Sequence, residues 1–300
     1  MDARQLSYFL AVVDHLNFNR AAEQLHLAQP SLSQAMSQLE RELGVPLFHR
    51  VGRGIVLSDA GRQLVEPARQ VIRDLEHAKA AARSTQRLQR GRVELSAMPS
   101  PGMEPLSTIT RTFTQTYPGM SLMIEAAFTP EEVVHAVKTG SVEIGLLGAA
   151  SEPHTGGLEV LHLEDQPLVL LSPPDEPAAD ALAGDTVHRT ELAGMRLIVS
   201  KRGSLMRQLV DDVLASGVDV EIVVEVEHRT SILPMVLSGV GHAVMPSSWT
   251  PLARRSGARV RQIDPPSLLK ISLVVRRGQL TPAARAFVGC VQRYVASINR

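Results

Sequence analysis

The sequence predicts a multidomain α+β fold: a small helical head, a long connecting helix and a two-lobed α/β region. Apolar residues recur at helical spacing through the first 45 residues, and a stretch of about 30 residues with few helix breakers follows. Strand-like and helical segments then alternate to the end. A length of 300 residues exceeds what one hydrophobic core ordinarily fills, and 44% hydrophobic residues are sufficient for several cores.

The charge of the chain is balanced overall but unevenly distributed. Residues 1–92 hold 13 Lys and Arg against 9 Asp and Glu, a net charge of +4, which leaves −4 for the remainder. An excess of this size favours a polyanionic partner for the N-terminal part only weakly, because solvated helices often differ as much. The residue pattern therefore decides the interpretation.

Targeting and redox signals are missing from the sequence. No apolar run approaches the roughly 20 residues that a membrane span requires, and the first residues lack the basic and apolar segments of a secretion signal. We therefore expect a cytoplasmic protein without a membrane partner. Cys290 is the only cysteine, which excludes an intrachain disulfide and a cysteine-cluster metal site, and its place in an apolar helical segment favours packing.

The head begins with an amphipathic helix over residues 3 to 16, whose apolar stripe consists of Leu6, Phe9, Leu10, Val13 and Leu16. A second, short helix follows, with Asn19 as its predicted N-cap. Pro30 fits the first position of a third helix, because the backbone N–H at that position has no partner within the helix and proline lacks this N–H. The inner face of that third helix consists of Leu32, Ala35 or Met36, Leu39 and Leu43.

The outer face of the third helix carries short, neutral, hydrogen-bonding side chains: Ser31, Ser33, Gln34, Ser37 and Gln38. An ordinary solvated helix carries a mixture of Lys and Glu instead. Glutamine can pair bidentately with adenine, and serine reaches the phosphate backbone, so this chemistry suits the major groove of double-stranded DNA. The alternative is the polar exposed face of a purely structural helix.

Two strand-like segments follow the third helix and flank a glycine-bearing turn. They run from Pro46 to Arg50 and from Gly54 to Ser58, which places Arg50 and Arg53 at or near the tip of the turn. A guanidinium there can contact phosphate or enter a minor groove. Three helices followed by this hairpin predict a winged helix-turn-helix domain over residues 1–58.

Three runs of residues in this head resemble the LysR-type transcriptional regulators. They are AAEQLHLAQPSLS from Ala21, LERELGVPLF from Leu39 and LSDAG from Leu57, and the resemblance is continuous over residues 2 to 66. His26 stands in the turn where many helix-turn-helix proteins have glycine, and Gln34 stands where arginine is frequent, so a base preference does not carry over. The resemblance implies a ligand-responsive regulator with these DNA-binding residues: Gln29, Pro30, Ser31, Ser33, Gln34, Ser37, Arg50 and Arg53.

A long helix is predicted from Ser58, its N-cap, to about Leu88, since Pro67 is its one proline and no glycine follows Gly61. Its apolar seam steps by 4, 3, 4, 3 and 4 residues, the mean spacing of a coiled coil: Leu64, Ala68, Val71, Leu75, Ala78 and Ala82. The seam predicts a dimerisation helix over residues 59–90, a length of about 30 residues that spans roughly 45 Å. A helix folded back onto its own domain is the alternative. The resemblance implies a homo-oligomer, a dimer that commonly assembles into a tetramer.

The remaining residues, 91–300, predict parallel α/β structure in two lobes. Strands are expected at 93–97, 121–126, 142–147, 196–200, 220–226, 243–246 and 271–276, and helices at 104–116, 130–139, 204–215, 230–238 and 282–298. The resemblance implies an effector domain shaped like a periplasmic solute-binding protein. Lobe I then comprises about 91–164 and 267–300, and lobe II about 165–266.

Ligands of open α/β sheets bind beyond the carboxyl ends of strands, where helix N-termini offer unpaired N–H groups. This rule and the resemblance select these effector-binding residues: Ser100, Pro101, Thr129, Ser200, Lys201, Arg202, Gly203 and His228. Two cations beside a helix N-terminus favour a carboxylate or another small anion. The alternatives are helix capping for Ser100 and Thr129 and a solvated loop charge for Lys201 and Arg202.

An enzyme is the main alternative class for the α/β region. The sequence contains no phosphate loop, G-x-S-x-G elbow, zinc-type histidine pair or adjacent carboxylate pair, so we expect no catalytic residue, no metal site and no cofactor. A solute-binding protein of a transport system is a third class, which the fused head and the missing export signal oppose.

Overall fold

The computed structural model of the chain describes residues 1–51, 54–83, 91–151, 154–174, 184–278 and 280–298, and of residues 50, 51, 54, 73, 76, 77 and 80–83 it describes the backbone alone. The chain divides into two compact units, Met1–Leu88 with Ala136–Glu143, and Gln89–His135 with Ile144–Arg300. None of the described helices is long and apolar enough to cross a membrane.

The described elements of residues 1–83 are α1 (Ala3–His15), α2 (Phe18–Gln24), α3 (Gln29–Leu43), β1 (Phe48–Val51), β2 (Gly54–Leu57) and α4 (Asp59–Arg83). Asp2 and Gln5 start α1 with a reciprocal capping box, each side chain accepting the other's backbone N–H at 2.8 Å. Leu16 ends α1 in a left-handed conformation.

The N-termini of α2 and α3 differ from the sequence prediction. The N-cap of α2 is Asn17 and not Asn19, because the Asn17 carboxamide oxygen accepts from the N–H groups of Asn19 and Arg20 at 2.9 and 3.2 Å. Helix α3 begins at Gln29, so Pro30 occupies its second position, where its missing N–H is equally harmless. Both differences shift a helix start by one or two residues and leave the order of the helices unchanged.

One apolar core joins the three helices of the head to the hairpin. Its fully or almost fully buried members are Leu6, Phe9, Ala11, Val12, Ala21, Ala22, Leu32, Met36, Leu39, Leu47 and Ala68. The ring of Phe48, at the start of β1, lies 5.5 Å from that of Phe9 and 5.9 Å from that of Phe18. The Glu40 carboxylate accepts from the N–H groups of Leu47 and Phe48 at 2.7 and 3.3 Å, which fixes the hairpin against α3.

The hairpin is shorter than the sequence predicts. Strands β1 and β2 pair antiparallel from Phe48 opposite Leu57 to Val51 opposite Gly54. Pro46 lies outside the ladder, and its carbonyl oxygen instead accepts from the Ser58 hydroxyl at 2.6 Å. The Ser58 oxygen in turn accepts from the Gly61 N–H at 2.9 Å, so one side chain joins the hairpin to the start of α4.

Gly61→Ala is expected to destabilise this junction by about 1–3 kcal/mol, the usual cost of overpacking. A Cβ at Gly61 would lie 2.1 Å from the Leu47 carbonyl oxygen, so the backbone of one segment must move. Hydrogen exchange in the full chain should show faster exchange in α1 to α4. Gly289→Ala is the matched control, because in the helix Pro282–Ile298 its Cβ would meet nothing closer than 3.8 Å. Unchanged exchange in Gly61→Ala would contradict the close approach.

The structure shortens the seam predicted on α4. Ala68 is 1% exposed, and Leu64 packs against the same core of the head, so both serve the fold of their own chain. The Arg69 guanidinium also pairs with the Asp14 carboxylate at 2.9 Å and ties α4 to α1. Val71 and Leu75 are 45% and 38% exposed and Ala78 is exposed, so the free part of the seam begins at Val71. The side chain of Ala82 and the predicted helix end at 84–88 lie outside the described residues.

The described strands from residue 91 onward are β3 (Gly91–Ala97), β4 (Met120–Ala126), β5 (Ile144–Ala149), β6 (Glu159–Ser172), β7 (Thr186–His188), β8 (Arg196–Ser200), β9 (Glu221–Val226), β10 (Ala243–Pro246), β11 (Arg259–Asp264) and β12 (Leu268–Val275). The α-helices are α5 (Pro99–Met103), α6 (Leu106–Thr116), α7 (Pro130–Thr139), α8 (Leu205–Ala215), α9 (Ile232–Leu237), α10 (Thr250–Arg255) and α11 (Pro282–Ile298). Short 3₁₀ turns occupy Arg189–Leu192, Arg229–Ser231 and Ser247–Trp249.

The sheet is mixed, whereas the alternation of strands and helices predicted a parallel one. Strands β4, β3 and β5 are parallel neighbours, and β12 pairs antiparallel with both β5 and β6. The 14-residue strand β6, which the sequence analysis did not predict, pairs through Glu159–Pro167 with β12 and through Leu168–Ser172 with β10 and β11. Strand β6 therefore runs through both lobes. The predicted loop at residues 99–102 is the helix α5, and β7 and β11 are further strands that the pattern missed.

The two lobes have separate cores. In lobe I, α6 and α11 pack on the sheet, with the rings of Phe113 and Phe287 in an edge contact at 5.4 Å. In lobe II, successive residues of β6 point to opposite faces, so that Leu168 and Leu170 enter one core while Val169 and Leu171 enter another.

Candidate functional site

Helix α3 presents a polar face to solvent. Pro30, Ser31, Gln34 and Ser37 are exposed, while Leu32, Met36 and Leu39 are at most 2% exposed on the opposite face. The Gln29 carboxamide donates to the Ser33 hydroxyl oxygen at 2.7 Å, so these two side chains are held together at the start of the helix. Ser31, Gln34 and Ser37 form no side-chain hydrogen bond within the described parts of the chain, so their donors and acceptors are available to an external partner.

The predicted wing contacts cannot be placed with the same detail. The backbone of Arg50 belongs to β1, but its side chain lies outside the described residues, and so does the whole of Arg53. Both therefore remain predictions from sequence.

A cavity of about 290 Å³ lies between the carboxyl ends of the lobe I strands and the start of α8. Its lining is Met98, Ser100, Pro101, Phe128, Thr129, Pro130, Glu131, Gly148, Ala149, Ala150, Gly203, Ser204, Leu205, Met206, Gln208, Arg229 and Leu269. Both lobes contribute, because β3 and β5 end at one side and α8 begins at the other. The site has the position that open α/β sheets give to ligands.

Four of the eight predicted effector residues line this cavity, and four do not. Ser100, Pro101, Thr129 and Gly203 are in the lining. Gly203 adopts φ +95°, which favours glycine in the turn before α8. Ser200, Lys201, Arg202 and His228 are outside it.

The two predicted cations point elsewhere. The Lys201 ammonium lies 3.2 Å from the Glu227 carboxylate, and both side chains are about two-thirds exposed. Arg202 is also exposed. These two residues therefore match the alternative given above, a solvated loop charge.

Ser100 and Thr129 differ in what their hydroxyls do. The Thr129 hydroxyl oxygen accepts from the Glu132 N–H at 3.2 Å and so caps α7, while the Glu132 carboxylate accepts from the Phe128 N–H at 2.7 Å. The Ser100 side chain is 1% exposed, and its hydroxyl has no hydrogen-bond partner among the residues that the structure describes. A buried hydroxyl without a partner costs free energy unless a water molecule or a ligand satisfies it.

The segment from Ser200 to Arg207 supports the wall of the cavity. The Ser200 and Ser204 hydroxyls are 2.6 Å apart and buried, and the Ser204 oxygen accepts from the Arg207 N–H at 3.1 Å as the N-cap of α8. The buried Arg207 guanidinium pairs with Asp211 at 2.7 Å and with Glu225, and the hydrogen bond to Asp211 raises the pKa of Arg207. Ser200 thus lies behind the lining and contacts the lining residue Ser204.

Arg229 is the cation among the described lining residues, and sequence reasoning did not predict it. It lies in the 3₁₀ turn before α9, next to the predicted His228, and is partly buried. Within the described parts of the chain the Arg229 guanidinium has no ion pair and no side-chain hydrogen bond. Burial lowers its pKa, yet an arginine remains charged at neutral pH. The position of this segment between a strand and a helix indicated a ligand-binding loop, but it did not show which of its side chains faces the cavity.

No three described His, Cys, Asp or Glu side chains lie close enough together to hold a metal ion. Cys290 is buried in α11, burial raises the pKa of its thiol, and the Arg293 guanidinium donates to its sulfur at 3.0 Å. This environment disfavours the reactive thiolate.

Two protein families match the chain in consecutive segments. Residues 3–62 match the family described as "Bacterial regulatory helix-turn-helix protein, lysR family", and residues 86–296 match "LysR substrate binding domain". The first covers the head with α3, and the second covers both walls of the cavity.

Curated relatives match along almost the whole chain. The HTH-type transcriptional regulator IlvR of Caulobacter vibrioides is 30% identical over 295 residues, which cover 97% of each chain. The RuBisCO operon transcriptional regulator of Allochromatium vinosum is 30% identical over 289 residues, 95% of this chain and 93% of that protein. Among solved structures, full-length CbnR complexed with its target DNA has a TM-score of 0.74 at 24% identity and covers 98% of this chain and 100% of its own, a likeness of fold.

Proposed function

The chain belongs to the LysR family of bacterial transcriptional regulators, and from this premise we propose that it binds inverted-repeat promoter DNA as a homo-oligomer and responds to a small anionic metabolite. It is a ligand-responsive transcription regulator. Our proposed division is a DNA-binding domain at 1–58, a dimerisation helix at 59–90 and an effector-binding domain at 91–300. We assign it no catalytic role and a cytoplasmic location.

The polar face of α3 supports the assignment of DNA contacts. Its exposed hydroxyl and carboxamide groups, from Ser31, Gln34 and Ser37, have no partner within the described residues and match base edges and phosphates in chemistry. Gln29 and Ser33 position each other at the helix N-terminus, the end of a recognition helix that enters the major groove. Arg50 and Arg53 add phosphate or minor-groove contacts.

Leu75→Asp is expected to abolish dimers. Leu75 is exposed in the free part of the α4 seam, where a coiled coil would bury it against a partner helix, and a carboxylate there would be desolvated without a counter-charge. Light scattering should show the mass of a single chain, 32.5 kDa. Gln63→Asp is the control, because Gln63 is exposed on the same helix and lies outside the seam. An unchanged mass for Leu75→Asp would place the dimer contact elsewhere.

The observation that carries the ligand proposal is the pair formed by Arg229 and Ser100. Both line the same cavity, and within the described parts of the chain one is a partly buried cation without a counter-ion and the other a buried hydroxyl without a partner. A carboxylate would satisfy both groups with charge-assisted hydrogen bonds. Regulation by this ligand requires that the ligand bind one arrangement of the lobes more tightly than the other, because a ligand with equal affinity for both does not shift the equilibrium between them.

Calorimetry with a panel of small metabolites tests the charge of the ligand. Compounds that carry an anionic group should bind, and a screen in which the compounds that bind all lack an anionic group would reject this part of the proposal. Footprinting of a DNA site with and without the tightest-binding anion then tests the response. A changed length of protection or a changed bend is expected, and identical patterns would reject allosteric control.

A further inference from the structure

The cavity carries one negative and one positive side chain. Among its described lining residues the charged ones are Glu131, in the first turn of α7, and Arg229. They form no ion pair with each other, and neither has another partner within the described residues. Two opposite charges that face one cavity and stay unpaired leave a place for two opposite charges on a ligand.

A simple carboxylate would match this lining incompletely. It would neutralise Arg229 but would leave the Glu131 carboxylate in the same lining without a partner of opposite charge. A ligand with an added ammonium group would instead pair with Glu131 and leave the lining neutral. Glu131 is exposed and therefore screened, whereas Arg229 is partly buried, so the carboxylate should contribute more affinity than the ammonium.

The rest of the lining sets the size and polarity of the ligand body. Met98, Phe128, Met206 and Leu269 give the cavity an apolar surface. A volume of about 290 Å³ equals that of about ten water molecules at 30 Å³ each, which suits a metabolite of about ten non-hydrogen atoms. A small amino acid with an apolar body has this size and this distribution of charge.

We propose that the effector is a zwitterionic amino acid, with its carboxylate at Arg229 and Ser100, its ammonium at Glu131 and its apolar part on Phe128 and Leu269. This inference rests on the proposed function, in which the ligand carries a carboxylate, and it adds an ammonium group to the ligand. It predicts a preference that an acid-binding site lacks: removal of the amino group weakens binding although the anion is retained.

Matched series of compounds test this preference by calorimetry on the full-length protein. One series is leucine, 4-methylpentanoate and 3-methylbutylamine, another is phenylalanine, 3-phenylpropanoate and 2-phenylethylamine, and a third is 4-aminobutyrate, butyrate and propylamine. In at least one series the amino acid should bind about two- to fivefold more tightly than the acid, the difference expected for a screened ion pair. The amine should bind most weakly of the three. If no series shows an advantage for the amino acid, the proposal is wrong.

Variants separate this proposal from the one on which it rests. Glu131→Gln should remove the preference for the amino acid over the acid and leave the affinity for the acid unchanged or higher. Glu227→Gln is the matched control, because Glu227 is an exposed carboxylate outside the cavity lining. If acids bind through Arg229 and the amino acid binds no more tightly, the proposal of an anionic ligand stands and the proposal of a zwitterionic amino acid is wrong. If neither acids nor amino acids bind, both proposals are wrong.

Discussion

Gln34→Ala is expected to lower affinity for the preferred DNA site about 10- to 100-fold, while binding to unrelated DNA stays nearly unchanged. A bidentate contact between a glutamine and an adenine discriminates against other bases by about 1–3 kcal/mol. Gln34 is exposed on α3 and its carboxamide makes no hydrogen bond within the described residues, so its truncation leaves the fold intact. Loss of this contact therefore relaxes base choice at one position.

Selection of duplexes from a random pool, followed by competition binding at fixed salt, measures this effect. Gln38→Ala is the matched control, because the Gln38 carboxamide donates to the Glu42 carboxylate at 3.2 Å on the same exposed face.

Arg50→Ala should behave differently: affinity should fall for every DNA sequence, and the slope of log affinity against log salt concentration should decrease by about one unit. If Gln34→Ala weakens all sequences equally and Arg50→Ala alters base choice, the recognition surface lies elsewhere.

The head was predictable because local rules determine most of it. The predicted stripe of α1 identifies its core side through Leu6, Phe9, Leu10 and Val13, although Val12 is buried more deeply than Val13 and Leu16 is 48% exposed. The glycine-bearing turn identifies the hairpin. The errors fall at helix starts, where neighbouring residues can both cap. Asn17 and Asn19 are equally good caps by type, and the left-handed Leu16 at the end of α1 is what assigns the cap to Asn17.

The sheet and the cavity depended on pairings far apart in sequence. Strand β6 pairs with β12 about a hundred residues later, and its apolar residues enter cores on both faces, so no simple alternation identified it. Periodicity likewise marked Ala68 as a seam residue but could not show that the core of its own chain already uses it. Loop position selected Ser100, Pro101, Thr129 and Gly203, which line the cavity because strand ends converge there, but the direction of a loop side chain is not encoded in that rule. Lys201 was predicted as a ligand contact and lies outside the lining, whereas Arg229 was not predicted and lines the cavity.

Arg229→Gln is expected to weaken binding of the anionic ligand about 30-fold or more, because removal of one partner from a buried hydrogen-bonded charge pair costs about 2–5 kcal/mol. The substitution keeps polarity and approximate size and removes the charge. Binding of ligand-free protein to DNA should be unchanged, since Arg229 and α3 belong to different compact units. The result would be a regulator that holds its DNA site and no longer responds to the effector.

Arg202→Gln is the control that makes this prediction sharp. It removes the same charge from an exposed residue outside the lining, so ligand affinity should stay within about twofold, as for a screened surface charge. Trp249 provides the readout: it is the single tryptophan of the chain, and its 3₁₀ turn packs against α5, which carries Ser100. Ligand-dependent fluorescence should persist in Arg202→Gln and disappear at the same concentration in Arg229→Gln. If the response is instead lost in Arg202→Gln and kept in Arg229→Gln, the exposed loop at Lys201 and Arg202 binds the anion, and the partly buried Arg229 does not.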